Sequence, residues 1–170
     1  MSYTIMSGQP QGNPLLYTNR IREALIGEII AINGYAEHIA NSNMEDINAA
    51  WRSIMRDEKK HYGMFLILLR KYDTVQYQRY LEHIGDKLGP KAPMQTYKPE
   101  YDKQIILNNV RQDIKGELEA VILYEQHLAQ IPYQDVKSVF YTVSSEEKGH
   151  AEHLTQLLLK YDPDTYDSLA

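Results

Sequence analysis

Six side chains of this sequence pair metal-ligand chemistry with regular spacing: Glu28, Glu58, His61, Glu117, Glu147 and His150. Glu58 precedes His61 by three residues, and Glu147 precedes His150 by three. On an α-helix that spacing puts both groups on one face. Carboxylate oxygens and an imidazole nitrogen are the donors that hold a divalent cation such as iron or manganese. A lone Glu-x-x-His recurs by chance. Two copies, each with a facing glutamate at matched depth, are far more specific.

The match in depth comes from an internal repeat. Shifted by 89 residues, the chain aligns with itself without a gap. GEIIAINGYAEHIA (27–40) lies over GELEAVILYEQHLA (116–129), DEKKH (57–61) over EEKGH (146–150), and LLRKYD (68–73) over LLLKYD (157–162). Of 58 aligned pairs 17 are identical, and these include Glu28/Glu117, Tyr35/Tyr124, His38/His127, Glu58/Glu147 and His61/His150. Composition alone does not produce that agreement; a duplicated helical hairpin does.

Periodicity places the helices. Apolar or otherwise notable residues fall at 47, 51, 54, 58, 61, 65, 68 and 72, and again at 136, 140, 143, 147, 150, 154, 157 and 161. Steps alternating between four and three make the seam of a helix bundle. The same reading gives 21, 25, 28, 32, 35 and 39, and 107, 110, 114, 117, 121, 124 and 128. The sequence predicts helices near 14–41, 44–72, 100–130 and 134–161. Asn13 and Pro14 suit a helix start, Ser42 with Glu45 reads as a capping box, and Pro99, Pro132 and Pro163 punctuate the rest. The stretch 74–103 is long enough to run the length of a bundle. Tyr77, Tyr80, Leu81, Ile84 and Leu88 predict a short helix in its first half, in core or dimer contact, before Gly89–Pro93 breaks it. The expected organisation is a flexible tail at 1–13, an all-α bundle over 14–162, and a C-terminal tail at 163–170.

Within the seams, these six polar side chains stand where hydrophobes are expected. In each antiparallel hairpin the two glutamates lie equally far from the turn, roughly 20 Å at 1.5 Å per residue. A pseudo-twofold axis between the hairpins would bring all six to one point. Four carboxylates in an apolar core repel one another and lose hydration, at several kcal/mol each. They must bind protons or metal ions. Two divalent cations would balance four carboxylates, and an oxygen-rich set with one imidazole per metal suits iron or manganese better than structural zinc.

Bulk properties narrow the function further. The chain has 170 residues, 43 % hydrophobic and 24 % charged, which suits one globular domain. The net charge of −5 gives no reason to expect nucleic acid or an anionic membrane as partner. There is no cysteine, which excludes disulfides, iron–sulfur clusters and a thiol nucleophile. No apolar run spans a bilayer and no signal peptide is legible, so a cytoplasmic setting is expected. Tyr35 and Tyr124 lie in the seam about 10 Å along the helix from Glu28 and Glu117. They read as core packing, with electron donation or a bond to a ligand as the sharper role. Asp57 and Glu146 read as solvated charges, with support of the ligand histidines as the minor alternative. His38 and His127 read as packed polar groups, and His153 as surface.

At these residues the chain resembles the ferritin-like di-iron carboxylate superfamily, in which two helices each give a Glu and two each give Glu-x-x-His. The resemblance covers residues 15–162 and is strongest to rubrerythrin-type domains, here without the cysteine-ligated rubredoxin domain. It implies a four-helix bundle of two hairpins joined by a long crossover. It also implies two iron ions, with Glu58 and Glu147 bridging, Glu28 and Glu117 terminal, and one histidine on each metal. The implied activity is a di-iron oxidoreductase of ferroxidase or peroxidase type. It would react with O2 or H2O2, draw electrons from Fe(II) or an external donor, and work as a homodimer. Rubrerythrins carry a further switching Glu where this chain has Ala120, matched by Ala31. Few residues follow Asp162, whereas storage ferritins carry a fifth helix there. Two other readings stand beside this one: a di-manganese, catalase-like enzyme, and a structural or coat protein whose metal pair only stabilises the bundle.

Overall fold

The computed structural model describes residues 17–84 and 101–163. The N-terminal tail, the Asn13–Pro14 start, Leu88, the Gly89–Pro93 break, Pro99 and residues 164–170 lie outside them. Among the described residues there are five helices and no strand: α1 Tyr17–Ala40, α2 Glu45–Tyr72, α3 Thr74–His83, α4 Lys103–Gln130 and α5 Gln134–Tyr161. The protein is an all-α bundle. No described helix is long and apolar enough to cross a membrane.

The ends of the helices have local causes. Asp102 caps α4 by accepting the Ile105 N–H at 3.0 Å, so that helix starts at Lys103 rather than near 100. Asp73 serves α2 and α3 together. Its N–H donates to the Leu69 carbonyl at 2.8 Å, and its side chain accepts the Gln76 N–H at 2.9 Å. The Ser42–Glu45 capping box does not form. Met44 is the N-cap of α2, which leaves Ser42 two residues too early; its hydroxyl accepts only the Met44 N–H, at 3.1 Å.

Packing follows the 4–3 seams. α1 lies mainly against α2 and α4 mainly against α5, with α1 also touching α4 and α2 touching α5. In α2 the seam residues Ile47, Trp51, Ile54, Phe65 and Leu68 are buried, as are Val136, Phe140, Val143 and Leu154 in α5. Near the end of α5 the seam slips by one. Leu158 is buried while Leu157, the expected position, is half-buried. A straight helix at 3.6 residues per turn drifts in this sense against a 3.5 repeat. The short helix expected after α2 is present as α3, but it has no buried residue; Tyr77, Leu81 and Ile84 are exposed and Tyr80 lies under the Arg70 guanidinium. It is therefore not part of the core.

The core is divided in two. One apolar cluster holds Leu25, Phe65, Tyr124 and Phe140. The other holds Tyr35, Trp51, Ile54, Val110 and Leu154. Along each long helix, the Glu and His positions fall between the two. Burying each large apolar side chain contributes about 1.5–3 kcal/mol. The two flanking clusters can thus offset a polar layer that would otherwise be costly.

Candidate metal centre

The structure brings all six expected ligands into that layer. α1 supplies Glu28, α2 supplies Glu58 and His61, α4 supplies Glu117, and α5 supplies Glu147 and His150. The four glutamates and His61 are buried, and the His150 side chain is 11 % exposed.

Both histidines point Nδ1 at the centre. His61 Nδ1 lies 3.6 Å from Glu28 Oε2, 3.6 Å from Glu58 Oε2 and 3.3 Å from Glu147 Oε1. His150 Nδ1 lies 3.2 Å from Glu58 Oε1, 3.6 Å from Glu117 Oε2 and 2.9 Å from Glu147 Oε2. Glu58 and Glu147 therefore each turn one oxygen to one histidine and the other oxygen to the second. The result is two four-residue donor sets, Glu28–Glu58–His61–Glu147 and Glu58–Glu117–Glu147–His150, each with donor atoms within 4.8 Å of one another. Glu58 Oε1, Glu147 Oε1 and His61 Nδ1 are buried and have these loose ionic contacts but no well-aligned hydrogen bond. A buried polar atom left unpaired costs about 1–3 kcal/mol. Apart from the 2.9 Å bond between His150 Nδ1 and Glu147 Oε2, these atoms converge without close hydrogen bonds, which fits cations placed between them, so the group could hold a metal pair.

Without metal, protons balance the charge. Burial raises Glu28 well above the usual carboxylate range, against the opposing hydrogen bond from His61. Burial likewise lifts Glu117 to about 8, opposed by His150 and reinforced by the charges of Glu147 and Glu58. Burial would also raise Glu58, but hydrogen bonds from His150 and His61 outweigh it and hold that carboxyl at about 2. For His150, burial favours the neutral ring, yet Glu117, Glu147 and Glu58 push it up to about 12. His61 is raised in the same way by Glu147, Glu28 and Glu58. The metal-free layer thus pairs imidazolium rings with carboxylates and favours the protonated forms of Glu28 and Glu117.

A second ring of groups holds these ligands. The Tyr124 hydroxyl donates to Glu28 Oε1 at 2.6 Å, and the Tyr35 hydroxyl donates to Glu117 Oε1. Each tyrosine thus reaches across from α1 to α4, or back, to the glutamate of the other helix. Burial, then the neighbouring carboxylates, raise both phenols well above their usual value, so they remain donors. The plain packing reading of these two rings was incomplete. Glu146, expected in solvent, accepts from His61 Nε2 at 2.7 Å, and Asp57 lies 3.7 Å from His150 Nε2. Each immediately precedes a shared glutamate, about 100° off the seam, and so points to the neighbouring helix. The 89-residue repeat pairs them, which is the signal that could have promoted them.

Other polar residues stay outside. His38 Nδ1 pairs with Asp113 Oδ2 at 2.9 Å, and Arg20 donates to the buried His127 at Nδ1, 3.1 Å away. Burial, helped by Arg20, lowers His127 to about 4. Both histidines are packed polar groups, as expected. Lys148 pairs with Glu125 at 2.7 Å on the surface, and Glu152 and His153 are exposed.

No known family's sequence model matches the chain. Over 59 residues it is 30 % identical to the encapsulin nanocompartment cargo protein EncC of Myxococcus xanthus (strain DK1622); the aligned stretch covers 35 % of this chain and 45 % of that protein. The chain therefore spans less than half of that relative. In three dimensions it is similar to a hypothetical protein from Pyrococcus furiosus, with a TM-score of 0.62 and 22 % identity over 91 % of this chain and 100 % of that one. That likeness concerns the fold.

Proposed function

We propose that this protein is a di-iron carboxylate oxidoreductase of ferroxidase or peroxidase type, reacting with O2 or H2O2. In this reading the bundle is ferritin-like: two duplicated hairpins, α1–α2 and α4–α5, joined by the crossover that contains α3. One observation carries the reading: Glu58 and Glu147 each direct one oxygen to the His61 set and one to the His150 set. That arrangement would suit Glu58 and Glu147 as carboxylates shared between two cations.

Glu28 and Glu117 would be terminal ligands, and one imidazole would serve each metal. Oxygen-rich donors with a single nitrogen favour iron or manganese. When bound, such a pair supplies two electrons at adjacent centres together with Lewis acidity. The protein does the rest. Tyr35 and Tyr124 hold the terminal carboxylates in place, while Glu146 orients His61 through Nε2 and so aims Nδ1 inward. The two apolar clusters close the layer at its two ends along the bundle.

The test is elemental analysis of protein expressed in medium rich in iron and manganese, with anomalous diffraction at both metal edges. About two metal ions per chain, with iron dominant and Fe(II)-dependent consumption of O2 or H2O2, are the expected results. Metal content near zero overturns the reading. A dominant manganese signal with peroxide dismutation and no added reductant would move it to a catalase-like enzyme. The partial similarity to an encapsulin cargo protein favours a second reading, in which the chain is carried inside a protein shell. Retention in the shell of a co-expressed encapsulin tests that separately.

A further inference from the structure

One side of the candidate centre is open. A cavity of about 210 Å³ lies between α1 and α4 and reaches Glu28, Glu58, Glu117 and Glu147. Neither ligand histidine lines it, so it approaches the centre from the face opposite the imidazoles. Its walls at the level of the carboxylates are small residues, Ala31 and Gly34 on α1 and Gly116 and Ala120 on α4. A Cβ added at Gly34 or Gly116 would meet nothing within 4 Å. Glu58 and Glu147, both deeply buried, line this space together with Glu28 and Glu117. It is therefore a cavity whose inner end is lined by four buried carboxyl groups, not merely a loosely packed seam.

Its size exceeds what the smallest oxidants need. At about 30 Å³ per water, the cavity corresponds to roughly seven waters. Hydrogen peroxide, with two heavy atoms, would take up roughly 60 Å³ at that packing. A cavity of about 150 Å³ in another protein holds benzene, so a peroxide carrying a four-carbon group, also six heavy atoms, has room here. The lining beyond the carboxylates includes Ile30, the two alanines and the faces of Tyr35 and Tyr124, which suit an alkyl group. Asp113, Lys115 and Glu119 line it too, but Lys115 pairs with Glu119 at 2.7 Å and Asp113 with His38 at 2.9 Å, so these charges are met locally and a neutral guest suits the space.

We infer that the α1–α4 cavity seats small neutral organic hydroperoxides, and that Ala31, Gly34, Gly116 and Ala120 set the size limit of the substrate. The inference rests on the oxidoreductase reading above and names its substrate class. The reaction is the two-electron reduction of ROOH to ROH and water. The O–O bond breaks, one electron comes from each divalent metal ion, and two protons come from solvent. The oxidised pair is then reduced by Fe(II) or an external donor.

The probe is tert-butanol, the unreactive alcohol product of tert-butyl hydroperoxide. In saturation-transfer NMR it should bind the metal-free wild-type protein, and Gly34→Leu and Gly116→Leu should remove that signal. In the metal-loaded protein, the same variants should lower the ratio of kcat/KM for tert-butyl hydroperoxide to that for H2O2 by at least about tenfold, the scale at which one methylene matters in a filled pocket. Should a leucine variant lose helical signal in circular dichroism, Ala120→Val makes a smaller change at the same wall. Persistence of the tert-butanol signal in folded variants, or an unchanged ratio, overturns the inference. Turnover of H2O2 without tert-butanol binding also overturns it and leaves the oxidoreductase reading intact. Specific tert-butanol binding, blocked by the variants, in a protein that turns over no peroxide upholds the seat and removes the oxidoreductase reading.

Discussion

The two donor sets have the same ligands and different support. His61 is fully buried and its outer nitrogen is bonded to Glu146 at 2.7 Å. His150 is 11 % exposed, and its outer nitrogen stands 3.7 Å from Asp57. The two acids are equivalent under the 89-residue repeat, but Glu is one methylene longer than Asp, and that methylene closes the bond. Identical first contacts thus sit in unequal frames. A histidine held at its far nitrogen is a better-aimed and more basic ligand. The position beside His61 should accordingly bind metal more tightly than the one beside His150.

The largest disturbance is one that removes the difference by removing both sets. Glu58→Ala or Glu147→Ala takes an oxygen from each set at once. Both metal positions should be lost, which metal analysis of purified variants checks. Without metal, the change also leaves a buried imidazolium short of a counter-charge, and breaking a buried pair costs about 3–5 kcal/mol. Urea titration of the metal-free variants measures that loss. Retention of a full metal complement in either variant would sink the shared-carboxylate geometry.

Next in size is the comparison itself. Glu146→Ala should weaken the His61 position by about 10–100-fold, the range for groups behind a metal-bound histidine. Asp57→Ala should do much less, because its bond is not formed. Asp57→Glu should tighten the His150 position and bring the two together. Stepwise calorimetric titration with Fe(II) or Mn(II) separates the two events. Equal effects of Glu146→Ala and Asp57→Ala would remove the asymmetry.

Acidity acts on both sets in one direction. Glu117 is raised to about 8 and His150 to about 12, above their unfolded values of about 4.5 and 6.5. A raised value stabilises the fold fully below the unfolded pKa and loses that contribution as pH climbs to the folded one. Glu58, held at about 2, does the opposite and loses its contribution as pH falls below about 4.5. The metal-free protein should therefore melt at a higher temperature at pH 5 than at pH 8. Metal must displace the protons on Glu28, Glu117 and the histidines, so its affinity rises over the same interval. The melting increment on adding metal should be larger at pH 8, and scanning calorimetry at the two values checks both signs.

How far these features were legible depends on what each one rests on. The six candidate ligands stood out because they break an apolar seam, and because a second copy breaks it in the same places. The levels of Glu28 with Glu58, and of Glu117 with Glu147, follow from short turns that admit little slack. The outer partners were harder. Asp57 and Glu146 lie off the seam, where a charge is ordinarily solvated, and only the packing of α2 against α5 brings them to the rings. The one-methylene difference between them has meaning only once those distances are known. The failed capping box at Ser42 turns on a single residue of register, a detail that spacing alone does not resolve.

The least legible contact is also the subtlest to test. No short turn sets the register of α1 against α4; packing across the layer does, and it makes the tyrosine bonds cross between them. Tyr35 holds Glu117, whose other oxygen faces His150; Tyr124 holds Glu28, whose other oxygen faces His61. Losing one such bond costs about 0.5–1.5 kcal/mol. Tyr35→Phe should therefore lower occupancy at the His150 position by up to about tenfold, although Tyr35 is on the same helix as Glu28. Tyr124→Phe should act on the His61 position instead. Anomalous occupancies refined separately for the two metals distinguish the outcomes. The reverse assignment, each tyrosine affecting the glutamate of its own helix, would break the crossed arrangement while leaving the two donor sets as they are.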